Sequence, residues 1–185
     1  MMAGVEMRGQ RVLLRDLRAE DIDDVFVYAS DPLVTRHAGW EPHRSPYESM
    51  LYIQRCLADD WGPITFAVEL MEEECVIGVV DIRIISRLWG LGEIGYTLAR
   101  SYWGKGFNVD AGGLLIDYGF RHLALRRIQA VCDTDNKRSF RTMEKLGMVR
   151  ERVISGPHRR NGLPMDRFLY SLLRREWERR YGNRK

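Results

Sequence analysis

The period of hydrophobic and polar positions changes several times along the chain, and each change marks an element. Residues 11–15 alternate with β-rich side chains and predict a short strand. Over 19–30, Ile22, Val25, Phe26 and Ala29 fall at helical spacing, and Asp31-Pro32 predicts a stop. A polar loop over 35–44 precedes Ser45-Pro46-Tyr47-Glu48, which has the order of a helix start and predicts a helix to about residue 59. Residues 64–70 and 75–85 read as a hairpin around the acidic turn 71–74. A strand over 92–98 and a helix over 110–122 follow, the helix carrying Ala111, Leu114, Leu115, Tyr118 and His122 on one stripe. A strand over 127–132 and a helix over 136–146, stopped by Gly147, come next. Strands over 148–154 and 167–172, joined by the Gly/Pro-rich loop 155–164, lead to a last helix with Trp177. Alternation in the centre with antiparallel flanks predicts an α/β (α+β) chain around a mixed sheet of about seven strands.

Length sets this out as one domain over 1–185, with no linker, repeat or low-complexity segment. A formal net charge of +3 is too small to imply nucleic acid, and the basic stretch 174–185 reads as a solvated helix end. Cys56, Cys75 and Cys132 match no zinc spacing, and their odd number argues against a disulfide framework, so reduced thiols in a cytoplasm are expected. His37, His43, His122 and His158 form no metal-ligand pattern, and no metal is expected. No apolar run approaches the ~20 residues of a membrane span, so no membrane partner is expected.

The chemistry concentrates where a strand-like run ending Tyr96-Thr97-Leu98 passes through Tyr102-Trp103-Gly104-Lys105-Gly106-Phe107 into a helix. A Gly-x-Gly turn at a helix start is an anion cradle: glycine lets the backbone approach a phosphate, and the first helical amides lack partners. A dinucleotide turn would need a third glycine where Val109 stands. A nucleotide P-loop would need Ser or Thr after Lys105, where Gly106 stands. The remaining reading is a pyrophosphate loop of the acyl-CoA type.

These blocks carry a resemblance. Leu14-Arg15-Asp16-Leu17 with Glu20-Asp21, Glu93-Ile94-Gly95-Tyr96, the cradle, Asn136-Lys137-Arg138-Ser139, Glu144-Lys145-Leu146-Gly147-Met148, Gly162 with Asp166, and Arg175-Glu176-Trp177 follow in the expected order. Together they resemble the GNAT superfamily of acetyl-CoA-dependent N-acetyltransferases, and within it the RimJ/RimL-type branch. The resemblance implies a three-layer fold with helices on both sheet faces, and acetyl-CoA as co-substrate. It implies a primary amine as acceptor, first the α-amine of a protein or peptide N-terminus of the ribosomal-protein type. A small amine (aminoglycoside, polyamine, amino acid) is the alternative, and a CoA-binding module without catalysis a second one. A monomer or homodimer fits equally.

By resemblance, Tyr96, Thr97 and Leu98 lie where the strand supplies an oxyanion-stabilising amide. Gly104, Lys105, Gly106, Phe107 and Asn108 hold the pyrophosphate, and Asn136 contacts the pantetheine. Apart from the resemblance, Lys105, Lys137, Arg138 and Arg141 would bring positive potential to the anionic cofactor, or else belong to a charged solvent face. Glu93 is the candidate base, or else a surface carboxylate on an alternating strand. Ser139 is the candidate acid, or else part of a helix start capped by Asn136. Three departures stand out. Ser101 occupies a position where Gln or Arg is common, Asn108-Val109 replaces a small residue and Thr, and Met143 replaces a proton-donating Tyr. Arg36, His37 and Trp40 in the 35–44 loop are candidate acceptor contacts. His158, Arg159 and Arg160 would make the late hairpin cationic and suit an acidic acceptor. A lysine side chain has a reference pKa of about 10.4, against about 7.7–8.0 for an α-amine. Deprotonation at pH 7 therefore asks far less of a base when the acceptor is an α-amine.

Overall fold

The computed structural model describes residues 4–58, 62–156, 159–160 and 163–182, the side chains of Arg159, Arg160 and Leu163 excepted. In chain order the elements are β1 (Met7–Arg8), β2 (Val12–Arg15), α1 (Ile22–Ala29), α2 (Pro32–Thr35), α3 (Pro46–Leu57), β3 (Ile64–Leu70), β4 (Cys75–Ser86) and β5 (Leu91–Leu98). Then come α4 (Phe107–Arg121), β6 (Arg127–Asp133), α5 (Lys137–Lys145), β7 (Val149–Ile154), β8 (Arg159–Arg160), β9 (Leu163–Pro164), β10 (Arg167–Leu173) and α6 (Arg174–Tyr181). Among the described residues the main sheet has eight strands, in the hydrogen-bonded order β1-β2-β3-β4-β5-β6-β10-β7, and β8 pairs β9 separately. The extra strand is β1, whose two residues are too few to show a period and which pairs Met7 and Arg8 with Leu14 and Leu13.

Contacts divide the chain into two compact units, residues 1–83 with 96–115 and residues 84–95 with 116–185. In the first, β1 to β4 are joined antiparallel. Leu17, Val25, Tyr28, Ala29, Val34 and Ile53 pack with Ala67, Val76, Val79 and Ala99 in one core, and Tyr102 and Trp103 lean on it. The conspicuous Arg15 and Asp21 of the sequence form a buried ion pair at 2.8 Å, and Arg15 also donates to Glu69. The hydrogen bonds that Arg15 donates to the Asp21 carboxylate, against the cost of burial, hold the Arg15 guanidinium above its ordinary pKa.

The Asp31-Pro32 stop divides two helices. Asp31 accepts the Leu33 N–H at 2.9 Å and Pro32 takes the first helical position of α2, so the stop of one helix is also the cap of the next. At α3 the helix begins where expected, at Pro46, but Ser45 makes no side-chain cap bond and Glu48 accepts the Arg44 N–H at 2.8 Å instead. The expected end of this helix near residue 59 lies outside the described residues.

In the second unit β5 pairs β6 in parallel over Leu91–Glu93 with Arg127–Gln129. β10 lies antiparallel to both β6 and β7. The basic stretch after residue 173 is α6. Trp177 is buried there against Phe120 (ring centroids 5.3 Å apart), Arg174 pairs with Glu178 at 2.9 Å, and Arg180 donates to the Gly147 carbonyl at 3.1 Å. A helix start with Leu173 as cap is held by Glu176 accepting the Leu173 N–H at 3.3 Å.

Candidate active site

In the first unit β5 ends at Leu98, a 3-10 turn spans Arg100–Tyr102, and α4 begins at Phe107. The cradle between them needs its two glycines. Gly104 (φ +76°) and Gly106 (φ +87°) both lie in the left-handed region that costs other residues about 1–2 kcal/mol. A Cβ at Gly104 would meet nothing within 4 Å, whereas one at Gly106 would sit 3.1 Å from Arg11 Nη2. The Val109 and Asp110 N–H groups turn back to the Gly106 carbonyl at 3.0 and 3.2 Å. The N–H groups of Phe107 and Asn108, first in the helix, have no acceptor one turn behind them. An open surface of glycine with orphan amides fits a phosphate ester.

Side chains hold this turn in place. Trp103 Nε1 donates to the Leu98 carbonyl at 2.8 Å, tying the strand end to the cradle. Tyr102 Oη donates to Glu73 at 2.8 Å, which, with burial, pushes the phenol pKa upward. Arg100 pairs with Asp31 at 2.9 Å. Lys105 Nζ lies 5.4 Å from the Tyr102 ring centroid, and Ser101 is exposed. The helix starts three residues earlier than the expected 110. Asn108 is therefore inside its first turn, and Asn108 Oδ1 is buried without a partner.

Two residues of this site had no signal in the sequence. Asp110 accepts the backbone N–H of Gln10 at 3.2 Å and of Arg11 at 2.9 Å. Arg11 Nη2 donates to the Lys105 carbonyl at 3.0 Å, and its guanidinium lies 4.3 Å from the Phe107 ring centroid. About a hundred positions separate the partners, so no local pattern could join them.

Of the three acceptor-loop candidates, Trp40 lines a cleft of about 450 Å³ with His43, Glu48, Leu51, Tyr52 and Arg55; Arg36 and His37 are not among its walls. Trp40 stacks on Tyr52 with centroids 6.4 Å apart, and Trp40 Nε1 is buried without a partner. His43 Nδ1 lies 2.9 Å from Ser49 Oγ, and burial lowers the His43 pKa. Arg36 ends α2, its N–H donating to the Pro32 carbonyl.

In the second unit Glu93 and Gln129 stand opposite each other in the β5–β6 register, and Gln129 Nε2 donates to Glu93 Oε2 at 2.8 Å. Glu93 is half-buried. Asn136 caps α5, its Oδ1 accepting the Ser139 N–H at 3.2 Å. The capping role is thus real, and it leaves the side-chain NH₂ of Asn136 as a separate pair of donors. The Ser139 hydroxyl bonds the thiol of Cys132 on β6; burial, partly offset by that bond, pushes the thiol up to about 11. Met143, one turn beyond Ser139, is 1% exposed and belongs to the core. Arg141 lies two positions from Ser139, which turns it to the opposite side of α5 with Lys137 and Arg138, all three exposed. His158 and Gly162 lie outside the described residues, as do the side chains of Arg159 and Arg160 that would form the cationic hairpin.

With this geometry in hand, comparison with known proteins is specific. The family described as Acetyltransferase (GNAT) domain matches residues 11–149. The chain is 34% identical over 170 residues to the "Uncharacterized N-acetyltransferase p20" of Bacillus licheniformis, covering 91% of this chain and 96% of that one. It is 29% identical over 169 residues to the "Spermidine N(1)-acetyltransferase" of Escherichia coli, covering 88% of each. Among solved structures, an acetyltransferase (GNAT family) from Bacillus anthracis superposes with a TM-score of 0.84 at 25% identity, over 93% of this chain and 100% of that one. A ribosomal-protein-S5-alanine acetyltransferase from Vibrio fischeri gives 0.73 at 27% identity, over 94% and 98%. The chain belongs to the GNAT acetyltransferase family. It is an acetyl-CoA-dependent N-acetyltransferase of α+β fold, and not a binding module alone. No helix among the described residues is long and apolar enough to cross a membrane.

Proposed function

We propose that this enzyme acetylates the α-amine of a protein or peptide N-terminus. The observation that carries the reading is the half-buried carboxylate of Glu93 on β5, which accepts a hydrogen bond from the neutral Gln129 amide. An α-amine with a reference pKa of about 7.7–8.0 asks little of a base, directly or through one water, whereas a lysine-type amine asks about 2.5 units more. The likeness to a ribosomal-protein-S5-alanine acetyltransferase supports the same class of acceptor.

In this reading the amides of residues 104–108 take the diphosphate of acetyl-CoA, and Asn136 meets the pantetheine arm. The amine nitrogen bonds to the thioester carbonyl carbon, and its proton passes to Glu93. The carbon–sulfur bond breaks, and the Ser139 hydroxyl donates a hydrogen bond that stabilises the leaving thiolate, which takes its proton from water; Glu93 then gives the amine's proton back to solvent. A backbone amide among Tyr96, Thr97 and Leu98 stabilises the oxyanion.

The likeness to a spermidine acetyltransferase favours a second reading, a polyamine acceptor. A panel of acetyl-CoA consumption against N-terminal peptides, spermidine, an aminoglycoside and free amino acids separates the two. Peptides are expected to give the highest kcat/KM. A spermidine kcat/KM ten times that of every peptide would reject the α-amine assignment.

A further inference from the structure

The geometry points to Arg11 as a positioning residue for the diphosphate cradle, an inference that rests on the cradle's role proposed above. A trans peptide holds its C=O and N–H in one plane, pointing in opposite directions across the C–N bond. Fixing the Lys105 carbonyl therefore aims the Gly106 N–H the other way. Arg11 Nη2 fixes that carbonyl at 3.0 Å. A charged donor on a carbonyl also polarises the peptide, which makes its N–H a stronger donor to an anion.

The arginine is itself held at both ends. Its backbone N–H is bound by the Asp110 carboxylate at 2.9 Å, within the first turn of α4. Its guanidinium lies 4.3 Å from the centroid of Phe107, whose ring is buried and meets Tyr102 edge-on at 5.9 Å. Arg11, Phe107, Asp110 and the peptide between Lys105 and Gly106 thus close a ring of contacts around the turn. The cationic head also brings positive charge to a helix start that carries the Asp110 anion. Lysine would keep the charge and lose the planar fork and the stacking.

The test uses the whole chain with Arg11→Ala and Arg11→Lys, titrated calorimetrically with CoA and with dephospho-CoA, alongside steady-state kinetics. The alanine variant should bind both ligands about tenfold more weakly, the scale of one charge-assisted hydrogen bond. Its kcat at saturating acetyl-CoA should stay within about twofold of wild type, so the loss appears in KM. The lysine variant should recover part of the affinity, and it serves as the test if the alanine variant fails to fold. Equal affinity in wild type and the folded variants overturns the inference. So does a loss seen with CoA but not with dephospho-CoA, which would place the side chain on the 3′-phosphate. A loss shared equally by kcat, KM and melting temperature would make Arg11 merely structural. Wild-type protein that binds neither ligand would remove the cradle's proposed role and this inference with it; binding by wild type with no change in the variants removes the inference alone.

Discussion

Glu93 and Cys132 sit in neighbouring strands of the second unit and call for opposite behaviour. Glu93→Gln keeps an acceptor for Gln129 but cannot take a proton. Its kcat should drop by roughly a hundredfold or more, with the KM for acetyl-CoA unchanged in the same assay. Without a change in kcat, Glu93 is only a strand carboxylate. In wild type, log kcat/KM on a peptide should rise with unit slope to about pH 8 and then level, because the neutral fraction of an α-amine saturates there. A rise that continues past pH 9 would indicate an amine of lysine type. The Cys132 thiol, 6% exposed and titrating near 11, should stay protonated at pH 8. Iodoacetamide should therefore leave it unmodified in the native protein, as peptide mass spectrometry can read. His43 has the reverse linkage. Burial lowers its folded pKa below the unfolded value of about 6.5, so the unfolded chain binds the proton first as pH falls. The melting temperature should decline from about pH 6.5 downward, and His43→Gln should flatten that decline. An unchanged slope in the variant would clear His43 of it.

Among the elements, the cradle offers the sharpest contrast. Gly104→Ala and Gly106→Ala meet the same backbone penalty, about 1–2 kcal/mol for a left-handed residue. Only the second also presses a methyl group against Arg11 Nη2. Gly106→Ala should therefore weaken CoA binding several-fold more than Gly104→Ala, measured by calorimetry; equal losses would mean that backbone strain alone decides. The same turn shows what the chain discloses of itself. Its glycines, the capping Asn136 and the strand–helix alternation are local patterns, and they were legible. The start of α4 was placed three residues late because a glycine turn gives way to a helix with no Ser, Thr or Asp at its boundary. α2 has no counterpart among the expected elements, because four residues make barely one turn. β7 shows another limit: its side chains are exposed almost throughout, so alternation there reports β-propensity rather than a buried face.

For the molecule as a whole, the order of blocks from Arg15 to Trp177 gave the family, because motifs separated by fixed elements constrain one another. The register of the mixed sheet was not legible, since β10 joins β6 to β7 from a later position in the chain. Nor were the contacts of Arg11 and Asp110, which depend on that kind of long-range closure. Lys137, Arg138 and Arg141 were legible as one charged group, because their helical spacing sets them together on the exposed side of α5. Ser139 was legible as a candidate, while its bond to Cys132 depends on how α5 lies on β6. Cofactor binding should be visible in stability. Acetyl-CoA at a hundred times its dissociation constant should add about 2.7 kcal/mol to unfolding, read as a raised melting temperature.

The late position of β10 has a consequence for the nascent chain. About a dozen residues separate it from β7, whose sheet pairing among the described residues is with β10 alone. Until translation delivers that partner, β7 and one side of β6 carry bare rows of amide and carbonyl groups, the state in which strands are most open to capture by other chains. Ribosomes stalled between the two strands should yield a product that proteases digest readily and chaperones retain, and a few further codons should relieve both.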